Sequence, residues 1–549
     1  MNSRRQAARL ALIAAFSAAA SVIAHGQRTL RVDTVTLTDG DFGLALSAVG
    51  DIDSDGVIDY ATVSPRTSFV APGEDTVFLI SGRDGSLLRS VPELAFTNGI
   101  TGVGDLTGDG IPDVVTCAPF EDGGEFSQGA VELRSGADLS VVHTTFGSSM
   151  DVSLGFSGAV STGDVNGDGI DDYCTSELER LGISDAAWVV LSGADGTTLR
   201  ERRAAGPQFL FFNASEDMGD LDADGVRDFA AVESSAQGTR VVVYSATTGA
   251  ELFERNDVFS GWTGFVANAD DVDGDGHDDI YVHWGGNGTV GSPGPYIGLF
   301  SGATGAEIDR VRLGDTVLRG LASGGDVDGD GSIDLVLQVA SSGSSSAIRG
   351  IVVLSGATRT EIARWNGSAP GDFFGVSVAC LGNVDGMPGD ELAIGVPLAG
   401  TAGEVHIVGY DGGVGSSFCT PATPNSTGRP GQARLVLGPA SQASLLARDL
   451  PNGTFCLGLA SRTPTTVIGP GGSQGTLCVG GSVGRFGGVP LPQATRFGAA
   501  ELALSLNAIP TPTGPVSAQP GETWYFQVWY RDANPVGTSN LTSAVMWTL

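Results

Sequence analysis

Residues 50–59 read GDIDSDGVID, and this stretch decides the fold because it returns six more times. The copies are GDLTGDGIPD from Gly104, GDVNGDGIDD from Gly163, GDLDADGVRD from Gly219, DDVDGDGHDD from Asp270, GDVDGDGSID from Gly325 and a degenerate GNVDGMPGDE from Gly382. Their second positions fall at 51, 105, 164, 220, 271, 326 and 383, separated by 54, 59, 56, 51, 55 and 57 residues. A spacing this even marks one supersecondary unit repeated along the chain.

Each unit has a second landmark after its acidic stretch, an apolar run that ends in a turn. The runs are VFLISGRDGSLL from Val77, VELRSGADLSVV from Val131, VVLSGADGTTL from Val189, VVVYSATTGAEL from Val241, IGLFSGATGAEI from Ile297 and VVLSGATRTEI from Val352, with VHIVGYDGG from Val405 as a truncated last copy. They read as hairpins joining the third and fourth strands of each unit. A further strand precedes each acidic stretch (FGLALSAVG from Phe42, FGVSVACLG from Phe374) and another follows it (YATV from Tyr60, LVLQVA from Leu335). Four strands in each of seven units give an all-β chain and a seven-bladed β-propeller. An open ring would expose two strand edges. The seventh unit lacks a fourth strand after Gly412, so TLRVDTVTL from Thr29, with residues 32–37 as its core, is expected to complete it.

The acidic stretch has the pattern D-x-D-x-D-G-x-x-D. Alternate side chains turn inward on a tight loop, and the glycine lets the chain wrap around one point. Three carboxylates, a carbonyl at position seven and a carboxylate at position nine are hard oxygen donors, suited to calcium rather than zinc or copper. The first loop offers Asp51, Asp53, Asp55, the Val57 carbonyl and Asp59; the second Asp105, Thr107, Asp109, Ile111 and Asp113; the third Asp164, Asn166, Asp168, Ile170 and Asp172. The fourth offers Asp220, Asp222, Asp224, Val226 and Asp228; the fifth Asp271, Asp273, Asp275, His277 and Asp279; the sixth Asp326, Asp328, Asp330, Ser332 and Asp334. The seventh is poorer, with Asn383, Asp385 and Glu391, and Met387 where a carboxylate belongs. Calcium is expected at about six sites, with the seventh open. Thr107 and Asn166 lower the ligand charge and should weaken their loops. No glutamate stands at position twelve between helices, so these are hairpin loops and not EF-hands.

These repeats resemble FG-GAP repeats of the integrin alpha-subunit propeller and the related VCBS-type repeats of secreted bacterial proteins. Phe42-Gly43, Phe374-Gly375, Cys117-Ala118-Pro119 and Gly395-Val396-Pro397 stand where that family has its FG and GAP elements, and the likeness runs over residues 29–415. The resemblance implies an extracellular binding or adhesion module that meets its ligands on the face opposite the calcium loops. Candidate segments there are 64–75, 118–128, 209–215 and 283–295.

Composition agrees with many short strands and tight turns: 83 of the 549 residues are glycine and 25 proline. The formal charge of −34 sits largely in the acidic loops, and six bound calcium ions would bring it to about −22. Such a field repels phosphate, which argues against nucleic acid as a partner. All 29 basic residues are arginine, so phosphate-loop and Schiff-base lysine chemistries are excluded. Arg4, Arg5 and Arg9, the apolar stretch 10–24 and Ala24-His25-Gly26 form a secretory signal expected to be cleaved near Gly26. No later stretch approaches a membrane span. The expected organisation is a signal at 1–26, the propeller at 27–415 and a β-sandwich domain at 416–549.

In that last region alternating segments such as RLVLG, AELALSLNA and TWYFQVWYRD indicate the sandwich. Cys419 and Cys478 are the favoured disulfide, with Cys456 the alternative partner, while Cys117, Cys174 and Cys380 read as buried thiols on apolar strands. Trp524, Phe526, Val528 and Tyr530 share one strand face and read as core. Tyr525, Gln527, Trp529 and Arg531 share the other, which suits a domain interface or a sugar. Four histidines lie outside the signal, His143, His277, His283 and His406, in different units, and no HExxH or GxSxG motif is present. The expected function is therefore a secreted calcium propeller that binds an extracellular protein or glycan, and not an enzyme. A polysaccharide-acting enzyme on a calcium propeller and a passive cell-envelope scaffold are the alternatives.

Overall fold

The computed structural model describes residues 27–549 apart from 36–40, 65–74, 94–96, 151, 179–186, 204–208, 212–217, 236–237, 260–264, 285–295, 314–316, 330, 342–346, 387–388, 401, 411–412, 420–421, 429, 438–441, 449, 452, 488–491, 495–499 and 534–536. The export signal expected at 1–26 lies outside the described residues. Two compact units emerge: Thr29–Val384 with Gly389–Gly409, and Tyr410–Leu549 with Asp385–Pro388.

The first unit consists of seven four-stranded antiparallel sheets, the blades of a β-propeller. In the first, Ala45–Gly50, Asp59–Ser64, Asp75–Ile80 and Leu87–Glu93 lie side by side in chain order. Sheets two to six repeat this order over 99–146, 154–203, 209–259, 266–312 and 317–366. The middle strands are buried throughout, as in Asp59–Ser64 and Asp113–Ala118, whereas the fourth strands, such as Thr198–Arg203, are largely open to solvent. The cause is a core between successive sheets rather than inside any one of them. Ala61 and Val77 pack with Ile100 and Val114; Val115 and Val131 pack with Tyr173 and Val189; Tyr281 and Ile297 pack with Leu335 and Val352. A strand covered on both faces reads as a continuous apolar run instead of an alternating one.

The seventh sheet draws on both ends of the unit. Val378–Cys380, Leu392–Val396 and Glu404–Tyr410 are completed by Gln27–Asp33, which lies beside Glu404–Tyr410. The strand expected to do this is therefore in place but earlier: of residues 32–37, Val32 and Asp33 belong to it, Thr34 and Val35 follow it, and 36–37 lie outside the described residues. Arg31 on this strand donates to the Ser81 and Gly82 carbonyls of the first sheet at 3.1 and 2.7 Å, and the Tyr60 hydroxyl donates to Asp33 at 2.8 Å. At the inner end the Ser377 hydroxyl donates to the Gly43 carbonyl at 2.7 Å.

The acidic loops also meet in sequence. Pro112 of the second loop sits against Gly50 of the first, Asp171 against Gly104, Asp278 against Gly219 and Asp390 against Gly325, and Ile58 of the first loop sits against Gly382 of the seventh. Position eight of each of these loops thus lies on the glycine that opens the loop before it.

The second unit is a β-sandwich. A four-stranded sheet (Gly413–Val414, Gln432–Leu437, Gln442–Arg448, Ala500–Ser505) shares a core with a five-stranded sheet (Ser416–Phe418, Gly537–Thr548, Thr523–Ala533, Cys456–Ser461, Gly484–Phe486). Leu435, Leu445 and Leu502 of the one pack with Trp524, Phe526, Val528 and Tyr530 of the other. The opposite face of Thr523–Ala533 is partly covered, with Tyr525 and Trp529 half-buried and Arg531 exposed. The hairpin Thr463–Ile468 with Thr476–Gly480 contributes Leu477 and Val479 to an apolar cluster with Leu457, Leu459, Leu541, Tyr525 and Trp529. Gln527 is buried there, accepting from the Cys478 N–H and donating to the Thr476 and Thr542 carbonyls.

Candidate metal centre

One hydrogen-bond pattern builds the first five acidic loops. The carboxylate at position one accepts the N–H groups of positions five and six: Asp51 from Asp55 and Gly56 at 2.9 and 2.7 Å, Asp220 from Asp224 and Gly225 at 3.0 and 2.8 Å, Asp271 from Asp275 and Gly276 at 3.0 and 2.9 Å. The same contacts hold Asp105 and Asp164. Position six must be glycine because φ there is +83° at Gly56 and +92° at Gly331, a region that side chains rarely tolerate.

The carboxylate at position nine is buried and faces two ways. One oxygen accepts the N–H of position two, as from Ile52 to Asp59 at 2.7 Å and from Val327 to Asp334 at 2.8 Å. The other accepts the N–H of the residue after the serine in the third-to-fourth-strand turn: Gly82 to Asp59 at 2.9 Å, Gly136 to Asp113 at 2.8 Å, Gly193 to Asp172 at 3.0 Å, Gly302 to Asp279 at 3.1 Å and Gly356 to Asp334 at 2.8 Å. A Cβ on any of these five glycines would fall within 2.0 Å of the carbonyl oxygen at position eight. The fourth sheet has Ala246 instead, and its bond to Asp228 is the longest, 3.3 Å. Sequence reasoning missed this lock between loop and hairpin, although the recurring Ser-Gly of SGRDG, SGADL and SGATG signalled it.

In four loops the carboxylates of positions one, three and nine converge, with an oxygen from each inside 4.8 Å of the others: Asp51, Asp53 and Asp59; Asp220, Asp222 and Asp228; Asp271, Asp273 and Asp279; Asp326, Asp328 and Asp334. In the second loop Thr107 stands at position three, its hydroxyl 3.5 Å from both Asp105 and Asp113. In the third Asn166 does so and donates to Asp168 at 2.9 Å. At position five, Asp55, Asp109, Asp168, Asp224 and Asp275 each accept the N–H of position seven, which is Val57, Ile111, Ile170, Val226 or His277, at 2.8–3.0 Å. Asp55 is also engaged by the Arg83 guanidinium. Asp330 of the sixth loop lies outside the described residues, as does Met387 of the seventh; in the seventh, Glu391 accepts the Val384 N–H at 2.8 Å in the manner of position nine.

Burial, with the nearby carboxylates adding to it, pushes the position-nine acids up: Asp59 to about 6, and Asp228 and Asp334 to about 7. Asp113, Asp172 and Asp279 move the same way for the same first cause. In the fourth loop Asp222 Oδ1 is sealed from solvent and has no hydrogen-bond partner. Converging carboxylates, one oxygen of them orphaned and buried, with no sulfur or imidazole in the groups, fit a hard divalent cation such as calcium.

The remaining predicted residues are dispersed. Cys419 and Cys478 are disulfide-bonded, with Cα atoms 6.3 Å apart; Cys117, Cys174 and Cys456 are free and buried, and Cys380 is free and partly buried. His143 Nε2 contacts the Gly193 carbonyl at 3.2 Å, His277 Nδ1 the Leu221 carbonyl at 2.6 Å, and His406 Nε2 Glu404 at 2.8 Å, while His283 is buried against Phe265. Of the candidate binding segments, 65–74, 212–217 and 285–295 lie outside the described residues, and 118–128 is described.

Fold and loops together define a protein of repeated four-stranded blades, each with an acidic loop between its first and second strands. The chain carries an FG-GAP repeat: residues 98–131, from the strand Gly99–Gly104 through the second acidic loop and Cys117-Ala118-Pro119 into the third strand, match that family's model. No curated protein matches the chain. Among the described residues no helix is long and apolar enough to cross a membrane.

Proposed function

We propose that this chain is a secreted propeller stabilised by calcium, about six ions in all, that acts as an extracellular binding module. The observation that carries the reading is the convergence of positions one, three and nine in four separate loops. Asp51, Asp53 and Asp59 would hold an ion in the first loop, and their counterparts would do so in the fourth, fifth and sixth. Asp105, Thr107 and Asp113, and Asp164, Asn166 and Asp172, supply weaker sets. The ion supplies positive charge and cross-linking between carboxylates that otherwise repel.

The chain's own part is to orient those oxygens. Glycine at position six closes the loop, and the position-nine acid fixes it to the turn of its own sheet. Because loops of successive sheets touch, order in one loop steadies the next. The binding role is supported by the FG-GAP repeat, and the disulfide supports an oxidising compartment. The four histidines, each settled on a neighbour within its own unit or an adjacent one, support binding over catalysis. The test is thermal unfolding of the full chain with calcium and with a chelator. A large fall in Tm on chelation is expected, and an unchanged melt would overturn the calcium assignment.

A further inference from the structure

Seven fourth strands form the rim of the propeller unit, and one differs from the rest. Leu87–Glu93, Thr198–Arg203, Glu251–Phe259, Glu307–Arg312, Glu361–Asn366 and Gln27–Asp33 each carry at least two charged side chains. Charges on an edge strand discourage the pairing of another chain. The second sheet ends instead in Val141–Phe146, sequence VVHTTF, with no carboxylate or guanidinium.

Its His143 and Thr145 are taken up by the third sheet, through the Gly193 and Gly196 carbonyls at 3.2 and 2.8 Å. Its backbone edge is open. Gly147 donates to the Gly129 carbonyl at 3.1 Å, and Ala130 faces Phe146 while Glu132 faces Thr144. Antiparallel pairs alternate between bonded and non-bonded. Thr144 and Phe146 therefore turn their N–H and C=O groups outward, and no described strand pairs beyond them.

Large apolar side chains are concentrated around this edge. Val142 is 43 % exposed, Phe146 42 %, Met150 55 % and Phe126 62 %. Phe126 belongs to the loop 120–128, which lies on the Phe146 ring: a Cβ on Gly123 would come 2.1 Å from it. The same loop exposes Asp122 and Glu125 and contains no basic residue. The edge is thus uncharged along its length, apolar at Val142 and Phe146, and acidic at one end.

We propose that this edge receives an extended segment of a partner protein as a fifth strand, and that the segment alternates apolar with basic side chains. Main-chain hydrogen bonds to Thr144 and Phe146 would give register, Val142, Phe146 and Phe126 the apolar contact, and Asp122 and Glu125 the preference for arginine or lysine. A second copy of this chain is the poorer occupant, since each copy stays strongly acidic, at −34 without calcium and about −22 with six ions bound. The proposal deepens the reading of the chain as a binding module and needs nothing from its calcium.

The test uses the full chain in saturating calcium and two blocked synthetic heptapeptides, one alternating valine with arginine and one alternating valine with glutamate. Anisotropy titrations are expected to show the arginine peptide binding at least tenfold more tightly, with slowed hydrogen exchange at the Thr144 and Phe146 amides. Val142→Lys should weaken it about tenfold, Glu125→Lys about fivefold, and Ile348→Lys, the same charge change at an exposed apolar residue just before the third strand of the sixth sheet, not at all. Circular dichroism melts of the three variants verify that each is folded. Equal losses in Val142→Lys and Ile348→Lys, which would mean attraction to the overall charge, overturn the proposal. So do unprotected amides, no binding, or self-association of the chain through this strand; none of these bears on the chelation melt that tests calcium.

Discussion

Replacing Gly82 by alanine isolates the contact that locks an acidic loop to its own sheet. A Cβ there falls 1.8 Å from the Ile58 carbonyl oxygen, so the turn must back away and lengthen the 2.9 Å bond from Gly82 to Asp59. Overpacking of this kind costs about 1–3 kcal/mol, and losing a buried hydrogen bond to a charged group about 1.5–3 kcal/mol. The fourth sheet limits the sum, because Ala246 occupies the same position with its bond stretched to 3.3 Å but kept. The expected loss is therefore about 3 kcal/mol. With an unfolding entropy near 2.1 cal/mol/K per residue over a unit of roughly 380 residues, that lowers Tm by about 4 °C. Calorimetric scans in excess calcium chloride measure it, with Ala246→Gly as the companion. That variant removes a Cβ already accommodated and should stay within about 1 °C of the parent. No shift in Gly82→Ala, or equal shifts in the two, would refute the lock.

Burial pushes the Cys380 and Cys456 thiols up to about 12, and Cys117 and Cys174 are also buried, so a thiol reagent at pH 8 should label none of the four until denaturant is added. Rapid labelling of the folded chain would contradict that packing. Reducing the Cys419–Cys478 bridge, 59 residues apart in sequence, should destabilise the sandwich unit by up to about 4 kcal/mol, read as a lower urea midpoint for its tryptophan fluorescence. Thr107→Asp completes a third carboxylate where the hydroxyl sits 3.5 Å from Asp105 and Asp113. It should raise Tm in calcium and lower it in chelator, a sign change that a purely structural threonine would not show. Tyr60→Phe removes the 2.8 Å bond that fastens Asp33 and the N-terminal strand. A cost of about 1–2 kcal/mol is expected in chemical unfolding, with faster exchange of the amides of Gln27–Asp33.

Much of this was legible in the sequence, for identifiable reasons. The acidic loops announce themselves because position six needs glycine and position nine a buried acid, so the pattern repeats wherever the loop does. The N-terminal strand was legible from an accounting of edges, and its exact span was not, since Thr34 and Val35 continue the alternation past the point where pairing stops. What partly covers the face of Trp529 and Tyr525 could not be read either. Alternation tells which residues share a face and says nothing of what lies over it, here a hairpin some fifty residues upstream. The acid at position five was legible, and its bond to the N–H two residues on was not, because the pattern names the residue and not its hydrogen bonds. At Asp55 that bond is joined by Arg83, which arrives from a distant turn.

The most direct test of the calcium propeller is equilibrium dialysis of the full chain, stripped with chelator and returned to buffered calcium. The four converged groups and the two weaker loops predict about six ions per chain, falling by about one with Asp220→Ala and again with Asp326→Ala. Fewer than about one ion bound at millimolar calcium would contradict the account, as would a count that ignores those substitutions.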